Sequence, residues 1–350
     1  MQHSDICIAG AGIIGLSLAL ELHRRGARVT VLEQAIPLSE ASTAAAGMLA
    51  AADPDNPPRL RPLSDLSIAV YPAFLERLDD LSGATVPLHT DATLQALPPH
   101  VADAGGILTA EDLRRLLPQL TPGAHRFRLL NEHSLDPRQL APALLGAVRA
   151  THIDLRTHTR VVSTTSVGDA VEIHTANGIF HAAKFVDCTG AWAASVAPRK
   201  GQMLAVSLPP ELPLRTVVRT PDIYIVPRAA GPAPIRAIIG ATVEDAGFDK
   251  TVYSEDITKL QAQAAGLLPQ LTTATVLNSW AGLRPATPDS LPLLGASPGR
   301  PHHFIAAGHY RNGILLAPAT AHVMAQLLAG EAPAIDLSPF SPSRILGPGK

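Results

Sequence analysis

The sequence has few of the features that mark secreted, membrane-spanning or nucleic-acid-binding proteins. Cys7 and Cys188 are its only cysteines and no C-x-x-C occurs, so we expect two reduced core thiols. The N-terminal MQHSDIC lacks a basic region, and the apolar run from Ile6 to Leu20 is too short for a bilayer. Net charge is −2 without a long basic run, so neither nucleic acid nor a membrane is an expected partner. We therefore predict a cytoplasmic protein.

The sequence does contain enough apolar residues, and enough length, for a large core. Its 350 residues suffice for two domains with a large core, and 46% apolar against 17% charged residues is typical of a globular protein. Internal repeats are absent. The composition therefore predicts a folded protein of more than one domain.

One stretch, from Asp5 to Glu33, predicts a dinucleotide-binding βαβ unit. A short apolar strand runs into Gly10, Gly12 and Gly15 of a G-x-G-x-x-G motif, a helix follows, and a second strand ends at Glu33. Gly10 permits the turn, Gly12 lets a pyrophosphate approach, and Gly15 lets helix and strand pack closely. The helix start favours phosphate, and Glu33 is placed to accept from a ribose. NAD and FAD fit this unit equally well.

Later segments predict further pieces of the same domain. A small-residue stretch, Ser39 to Leu49, would let a backbone lie flush against a flat ligand, and Ser42 could donate to phosphate. A strand ending at Cys188 runs into a second glycine elbow at Gly190. Capping residues predict helices beginning after Ser64, Thr109 and Asp136, and a helix over 314–328 follows GHYRNG. The segment after residue 336 reads as a loose tail.

Several motifs occur in the order found in one known family. The motifs are AAAGMLA, KGQMLAV, IYIVPR, IGATVEDAGFD, WAGLRPATPDSLPLLG and AAGHYRNGILLAPAT. With the dinucleotide motif, they make the chain resemble the D-amino-acid-oxidase-like FAD-dependent oxidoreductases, and within them the glycine oxidases of thiamine biosynthesis. The resemblance covers nearly the full length.

The resemblance implies an α/β fold in two interleaved domains. A Rossmann-like FAD-binding domain is expected from 1–80, 134–197 and 280–345, and a substrate domain on a mostly antiparallel β-sheet from 81–133 and 198–279. It also implies non-covalent FAD contacts, with the 309–315 segment beside the flavin pyrimidine ring, where a helix N-terminus would stabilise the reduced anion. The expected cofactor residues are Gly10, Gly12, Ile13, Ile14, Gly15, Glu33, Gln34, Ala41, Ser42, Ala46, Gly47, Met48, Val161, Gly190, His309, Tyr310, Arg311, Asn312, Gly313, Ile314 and Leu315.

The substrate residues follow from the same resemblance. Arg284 in AGLRP is expected to hold a carboxylate in a bidentate fork, with Arg311 as a second arginine near the entry or in a structural salt bridge. Tyr224 and Met48 are expected to line the pocket, although packing in the core would also explain them. Val243 stands where a glycine oxidase carries methionine, so the pocket is expected to be wider.

The implied reaction is oxidation of glycine, sarcosine or D-alanine by hydride transfer to FAD. The imine hydrolyses to glyoxylate and ammonia, dioxygen is reduced to hydrogen peroxide, and the product feeds the thiazole branch of thiamine synthesis. No acid or base side chain is required. His302, His303 and His309 lack metal-ligand spacing, so no metal is predicted. The alternatives are a D-amino-acid or sarcosine oxidase, a quinone-linked dehydrogenase, or a non-enzymatic FAD-binding protein. The family often forms tetramers, so the resemblance implies a homo-oligomer.

Overall fold

The computed structural model describes residues 3–97, 105–228 and 235–347, so parts of the predicted substrate domain, 98–104 and 229–234, lie outside the described residues. The helices of the described chain are α1 (Ile13–Arg24), α2 (Ala41–Ala44), α3 (Arg61–Ser82), α4 (Ala110–Leu116), α5 (Pro137–Arg149), α6 (Ser254–Leu267) and α7 (Gly313–Leu328). The strands are β1 (His3–Ala9), β2 (Val29–Leu32), β3 (Leu88–Thr90), β4 (Thr93–Leu97), β5 (Arg126–Leu130), β6 (Ser134–Leu135), β7 (Asp154–Arg156), β8 (Val161–Val167), β9 (Ala170–Thr175), β10 (Gly178–Asp187), β11 (Ala197–Ser207), β12 (Val217–Arg219), β13 (Tyr224–Arg228), β14 (Arg236–Gly240), β15 (Val276–Ala286), β16 (Leu293–Ala296) and β17 (His303–Ala307).

The first sheet is the nucleotide-type sheet that the sequence predicts. Its strands run in the order β16-β17-β10-β1-β2-β7, and the pairs from β17 to β7 are parallel. The antiparallel strands β9 and β8 extend it from β10. Because β10 and β17 come from distant parts of the chain, this sheet is assembled from separated segments, as predicted.

Helices α1, α3, α5 and α7 cover one face of this sheet with a continuous apolar core. Helix α5 begins as predicted, with Pro137 in the first turn and the Asp136 carboxylate accepting from the Arg138 amide at 2.9 Å. Helix α7 contains Pro318, which cannot donate to the carbonyl four residues earlier. That carbonyl, of Ile314, accepts from the Tyr71 hydroxyl at 3.0 Å. Helix α3 therefore supports α7 at its proline.

The second sheet is mostly antiparallel, as predicted. Its order is β15-β11-β14-β13-β12-β4-β5, and β12 pairs with β4 in parallel. Helices α4 and α6 contribute to the apolar core on one face of it. Strand β15 pairs with β11 through Ala286. The proposed domain boundary at residue 280 falls inside this strand, and a boundary after Ala286 would keep it whole.

Two local predictions are wrong. Ser64 does not cap α3, which begins at Arg61 directly after a 3-10 turn, Pro58–Leu60, so that Ser64 is buried within the helix. The segment after residue 336 is not a loose tail, because Phe340 is fully buried and Arg344 pairs with Asp289 at 2.7 Å. Among the described residues, no helix has the length and apolar character needed to cross a membrane.

Candidate active site

A cavity of about 440 Å³ lies between the two sheets. On one side it is lined by the carboxyl ends of the parallel strands, including Ala9, Leu32 and Ala307. On the other side it is lined by the second sheet. Open α/β sheets bind ligands beyond the carboxyl ends of their strands, so the position favours a nucleotide cofactor.

The glycine elbow fits a pyrophosphate. Gly10 has φ +99° and lies so close to the residue that follows β10 that an added Cβ would come within 2.5 Å of the Cys188 carbonyl oxygen. A Cβ at Gly15 would come within 2.0 Å of the Gly10 carbonyl oxygen, which confirms its packing role and places it behind the cavity wall. The Ser42 hydroxyl accepts from the Ile13 amide at 2.9 Å at the start of α1. Its own hydrogen remains available for a phosphate oxygen.

Glu33 directly follows β2 and lines the cavity, where the predicted ribose ligand is expected. Its carboxylate accepts from the Ala11 amide at 2.8 Å and the Ala35 amide at 2.9 Å. These bonds hold the side chain across the elbow. Each carboxylate oxygen keeps further acceptor capacity for a hydroxyl group.

The small-residue segment lies flat on the second sheet. A Cβ at Gly282 would stand 2.7 Å from the Cβ of Ala44, so glycine there allows α2 to approach β15. The Trp280 indole donates to the Ala44 carbonyl at 3.0 Å, and the buried Arg228 donates to the Ala46 carbonyl. Burial lowers the pKa of Arg228 to about 10, with Asp136 opposing the shift. The segment is therefore fixed along the cavity, and Arg228 is an anchor that sequence reasoning missed.

The N-terminus of α7 faces the cavity with residues 309–314. His309 is buried, and burial lowers its pKa to about 3, so the imidazole is neutral at physiological pH. Its Nε2 is 3.0 Å from the Thr320 hydroxyl. His309 therefore adds no positive charge to this wall, and the N-terminus of α7 contributes its helix dipole there.

One row of cross-strand neighbours forms much of the second sheet's cavity wall. In register, Gln95 faces Arg219, Arg219 faces Tyr224, Tyr224 faces Gly240, and Met203 faces both Gly240 and Trp280. A Cβ at Gly240 would lie 2.4 Å from the Tyr224 hydroxyl oxygen, so the phenol lies over that glycine. Burial raises the pKa of Tyr224 despite the nearby Arg284, so the phenol stays protonated and can donate a hydrogen bond.

Arg284 lies beside Tyr224 on the same wall. Its Nη1 donates to the carbonyl oxygens of Lys200 at 3.3 Å and Thr242 at 3.1 Å. The guanidinium lies over Gly201, where an added Cβ would come within 2.3 Å of Nη2. The side chain is therefore held in place with one edge still available to a carboxylate.

Arg311 belongs to an ionic cluster at the cavity wall. It is 3.6 Å from Asp53 and 3.7 Å from Asp55, and the buried Arg219 is 3.0 Å from Glu132 and 3.7 Å from Asp53. Burial raises the pKa of Glu132, although Arg219 opposes the shift. Sequence reasoning missed Arg219, Glu132 and Asp53. An arginine after two valines in TVVRT was the available signal.

The structure brings most of the predicted site residues together. The predicted residues that line the cavity are Gly10, Gly12, Ile13, Ile14, Glu33, Gln34, Ala41, Ser42, Ala46, Gly47, Met48, Val161, Gly190, Tyr224, Val243, Arg284, His309, Tyr310, Arg311, Asn312, Gly313 and Ile314. Leu315 and Gly15 do not, because both are packed in the core. Val243 is 64% exposed, which puts it at the rim. Trp192, another lining residue, stacks on Phe248 with ring centroids 5.3 Å apart. No metal-binding group of histidine, cysteine and acid side chains occurs in the described chain.

Comparison with known proteins agrees with this geometry. Residues 5–327 match the family model described as DAO, FAD dependent oxidoreductase. The chain is 34% identical to a glycine oxidase of Geobacillus kaustophilus, covering 98% of this chain and 97% of the relative. It is 36% identical to a bifunctional protein ThiO/ThiG of Trichormus variabilis, over 97% of this chain and 55% of that protein. The crystal structure of glycine oxidase from Geobacillus kaustophilus superposes with a TM-score of 0.92, covering 99% of this chain and 100% of that one. The chain therefore belongs to the DAO family, its cofactor is FAD, and it is an FAD-dependent oxidoreductase.

Proposed function

We propose that the chain oxidises the C–N bond of glycine and of small amines such as sarcosine or D-alanine, with dioxygen as the final acceptor. The products would be glyoxylate, ammonia and hydrogen peroxide when glycine is the substrate. FAD supplies the acceptor for the hydride that leaves the substrate carbon. The likeness to glycine oxidases and to ThiO/ThiG supports this substrate class and a role in the thiazole branch of thiamine synthesis.

The observation that carries the proposal is the fixed guanidinium of Arg284 beside the Tyr224 phenol on the cavity wall. A planar guanidinium binds a carboxylate through two parallel hydrogen bonds, and the phenol can donate a further bond. Together they would hold an amino acid by its carboxylate. The amine and Cα would then be oriented toward the cofactor cavity.

Other residues would shape the site rather than react. Arg311 is partly neutralised by Asp53 and Asp55, so it is a weaker carboxylate ligand than Arg284. Met48 and Val243 would bound the space for the substrate substituent. Neither the neutral His309 nor the protonated Tyr224 is needed as a base, because the substrate would bind as the free amine. A cytoplasmic location and a homo-oligomer stay predictions.

An anaerobic reduction experiment tests the proposal. The FAD-loaded protein is mixed separately with glycine, sarcosine and D-alanine without oxygen, and the flavin absorbance is followed. We expect at least one of the three to bleach the flavin, and air to restore the colour with formation of peroxide. If none bleaches it, the amine-oxidase proposal is wrong. Bleaching without peroxide in air would favour the quinone-linked dehydrogenase instead.

A further inference from the structure

A polar cluster lies behind Arg284, on the face of the second sheet that points away from the cavity, and in it Lys200 and Gln202 are buried while Asp249 and Tyr253 are exposed. Side chains alternate along a strand, and in β11 Met203 lines the cavity while Lys200 and Gln202 point to the other face. The cluster consists of Lys200, Gln202, Thr242, Glu244, Asp249, Tyr253 and Asp256.

Lys200 is the centre of this cluster and is fully buried. Its Nζ lies 3.2 Å from Glu244 Oε2, 3.5 Å from Asp249 Oδ2, and 4.5 Å from the centroid of the Tyr253 ring. Burial lowers the pKa of Lys200, but the two carboxylates outweigh it and leave the pKa above its ordinary value. A charged ammonium inside the protein needs such partners, so the cluster is built around its charge.

The cluster is connected through backbone atoms to Arg284, the proposed carboxylate clamp. The Lys200 amide donates to the Glu244 carbonyl at 3.0 Å, and the Glu244 amide donates to the Lys200 carbonyl at 3.0 Å. The Lys200 carbonyl also accepts from Arg284 Nη1, as does the carbonyl of Thr242. The two carbonyl oxygens that hold Arg284 therefore come from β11 and from the segment around Thr242, and the Lys200–Glu244 pair joins these two segments.

The segment between these contacts also carries Val243 to the cavity rim. The Thr242 hydroxyl accepts from the Gln202 amide at 2.8 Å and donates to Glu244. The residues on either side of Val243 are thus both tied to β11. A shift of this segment would move the two carbonyls at Arg284 and the rim residue together.

We propose that Lys200 and Glu244 are positioning residues that set the orientation of Arg284 and so determine the affinity for the substrate carboxylate. This inference rests on the proposed role of Arg284 in substrate binding. Neither side chain lines the cavity. Their effect is therefore expected on carboxylate binding, with little effect on FAD binding or on the rate of the bound substrate.

The test compares FAD-loaded variants of the full chain. Glu244→Gln keeps the side-chain oxygen that accepts from Thr242 and Gln202 and removes the charge facing Lys200. Lys200→Met removes the ammonium, and Lys259→Met is the matched control because Lys259 is exposed on α6. Acetate, a carboxylate without an amine, is titrated against the flavin spectrum. The Kd for FAD, the KM for glycine and the limiting rate of anaerobic flavin bleaching are measured alongside.

We expect Glu244→Gln to raise the acetate Kd and the glycine KM by about tenfold. The FAD Kd and the limiting bleaching rate should stay within about twofold of the parent, and Lys259→Met should match the parent throughout. Unchanged acetate affinity in Glu244→Gln overturns the inference, even if Lys200→Met fails to fold. Equal losses of acetate and FAD affinity also overturn it, because they indicate a general structural role.

The acetate titration separates this inference from the proposed reaction. If the parent binds acetate but no amine bleaches its flavin, the proposed reaction is wrong while the acetate comparison still measures the positioning of Arg284. A parent that binds no acetate overturns the clamp and the inference together.

Discussion

Gly201 of β11 and Gly282 of β15 allow the substrate half of the site, around Arg284, and the cofactor half, along the small-residue segment, to be tested separately. Gly201 and Gly282 are paired in register, and neither has a positive φ. Alanine is therefore compatible with the backbone at both positions. A Cβ at Gly201 would overlap the Arg284 guanidinium, with Nη2 at 2.3 Å, whereas a Cβ at Gly282 would meet the Ala44 Cβ at 2.7 Å.

For Gly201→Ala we expect a selective loss of carboxylate binding. The Arg284 guanidinium is the end of a flexible side chain and can move away, so folding should not suffer. Replacing glycine at a compatible position stabilises by about 0.4–1 kcal/mol through the unfolded state. The displaced guanidinium forfeits charged hydrogen bonds worth about 1.5–3 kcal/mol, which raises KM by about 10- to 150-fold at 1.4 kcal/mol per tenfold.

For Gly282→Ala we expect the opposite result, with a larger effect on FAD binding than on substrate binding. The Cβ of Ala44 belongs to the backbone-anchored helix α2, so the small-residue segment itself must shift. FAD affinity should fall, while KM for the amine at saturating FAD should change less than in Gly201→Ala. FAD titration by fluorescence, flavin bleaching by glycine and urea unfolding measure the three quantities. If Gly201→Ala has the same KM as the parent protein, the placement of Arg284 is wrong. If both variants change FAD affinity and KM equally, the separation of the site into a substrate half and a cofactor half is wrong.

Three further variants test other parts of the fold. Tyr71→Phe leaves the Ile314 carbonyl beside Pro318 without its 3.0 Å hydrogen bond, so the free energy of unfolding should fall by about 1–3 kcal/mol in urea titrations; an unchanged midpoint would show that this carbonyl finds another partner. Glu33→Ala removes the acceptor of the Ala11 and Ala35 amides and the proposed ribose ligand, so the FAD Kd should rise by about tenfold or more, and an unchanged Kd would remove Glu33 from the site. Between pH 6.5 and about 3, His309 becomes protonated in the unfolded chain but stays neutral in the folded protein. The free energy of unfolding therefore falls as the pH falls through this range. His309→Asn should lose that part of the slope, about 2 kcal/mol between pH 7 and pH 5, and an identical slope in parent and variant would contradict the neutral buried imidazole.

Local patterns explain why the cofactor half of the site was predictable. The elbow at Gly10–Gly15, the strand Val29–Leu32 and the terminal Glu33 lie within one short stretch, and their spacing alone fixes the turn, the helix and the acid. The helix caps predicted at Thr109 and Asp136 are equally local, and both are confirmed. The prediction that Ser64 caps α3 was wrong because the helix begins earlier, directly after a 3-10 turn. The spacing of apolar residues does not reveal that turn.

The substrate half depends on contacts between distant segments. Arg219 contacts Gln95, Glu132 and Asp53, residues from three other parts of the chain, and the pairing of β12 with β4 places it beside Gln95. The family resemblance assigned roles to Arg284 and Tyr224, but it assigned none to Gly201 and Gly240, which make room for them. These glycines have ordinary extended φ values, so no turn pattern marks them.

The ionic cluster gives a physical reason to favour Arg284, the arginine that the sequence favours, over Arg311 as the ligand of the substrate carboxylate. Arg311 shares Asp53 with Arg219 and has Asp55 as a second carboxylate, so an incoming substrate carboxylate would compete with existing partners. The hydrogen bonds of Arg284 Nη1 are to neutral carbonyls, which orient the guanidinium without neutralising it. A charge that is oriented but not compensated attracts an anion more strongly than a compensated one. Arg284 is therefore the residue on which carboxylate affinity should depend, and the carbonyls of Lys200 and Thr242 are what hold it ready.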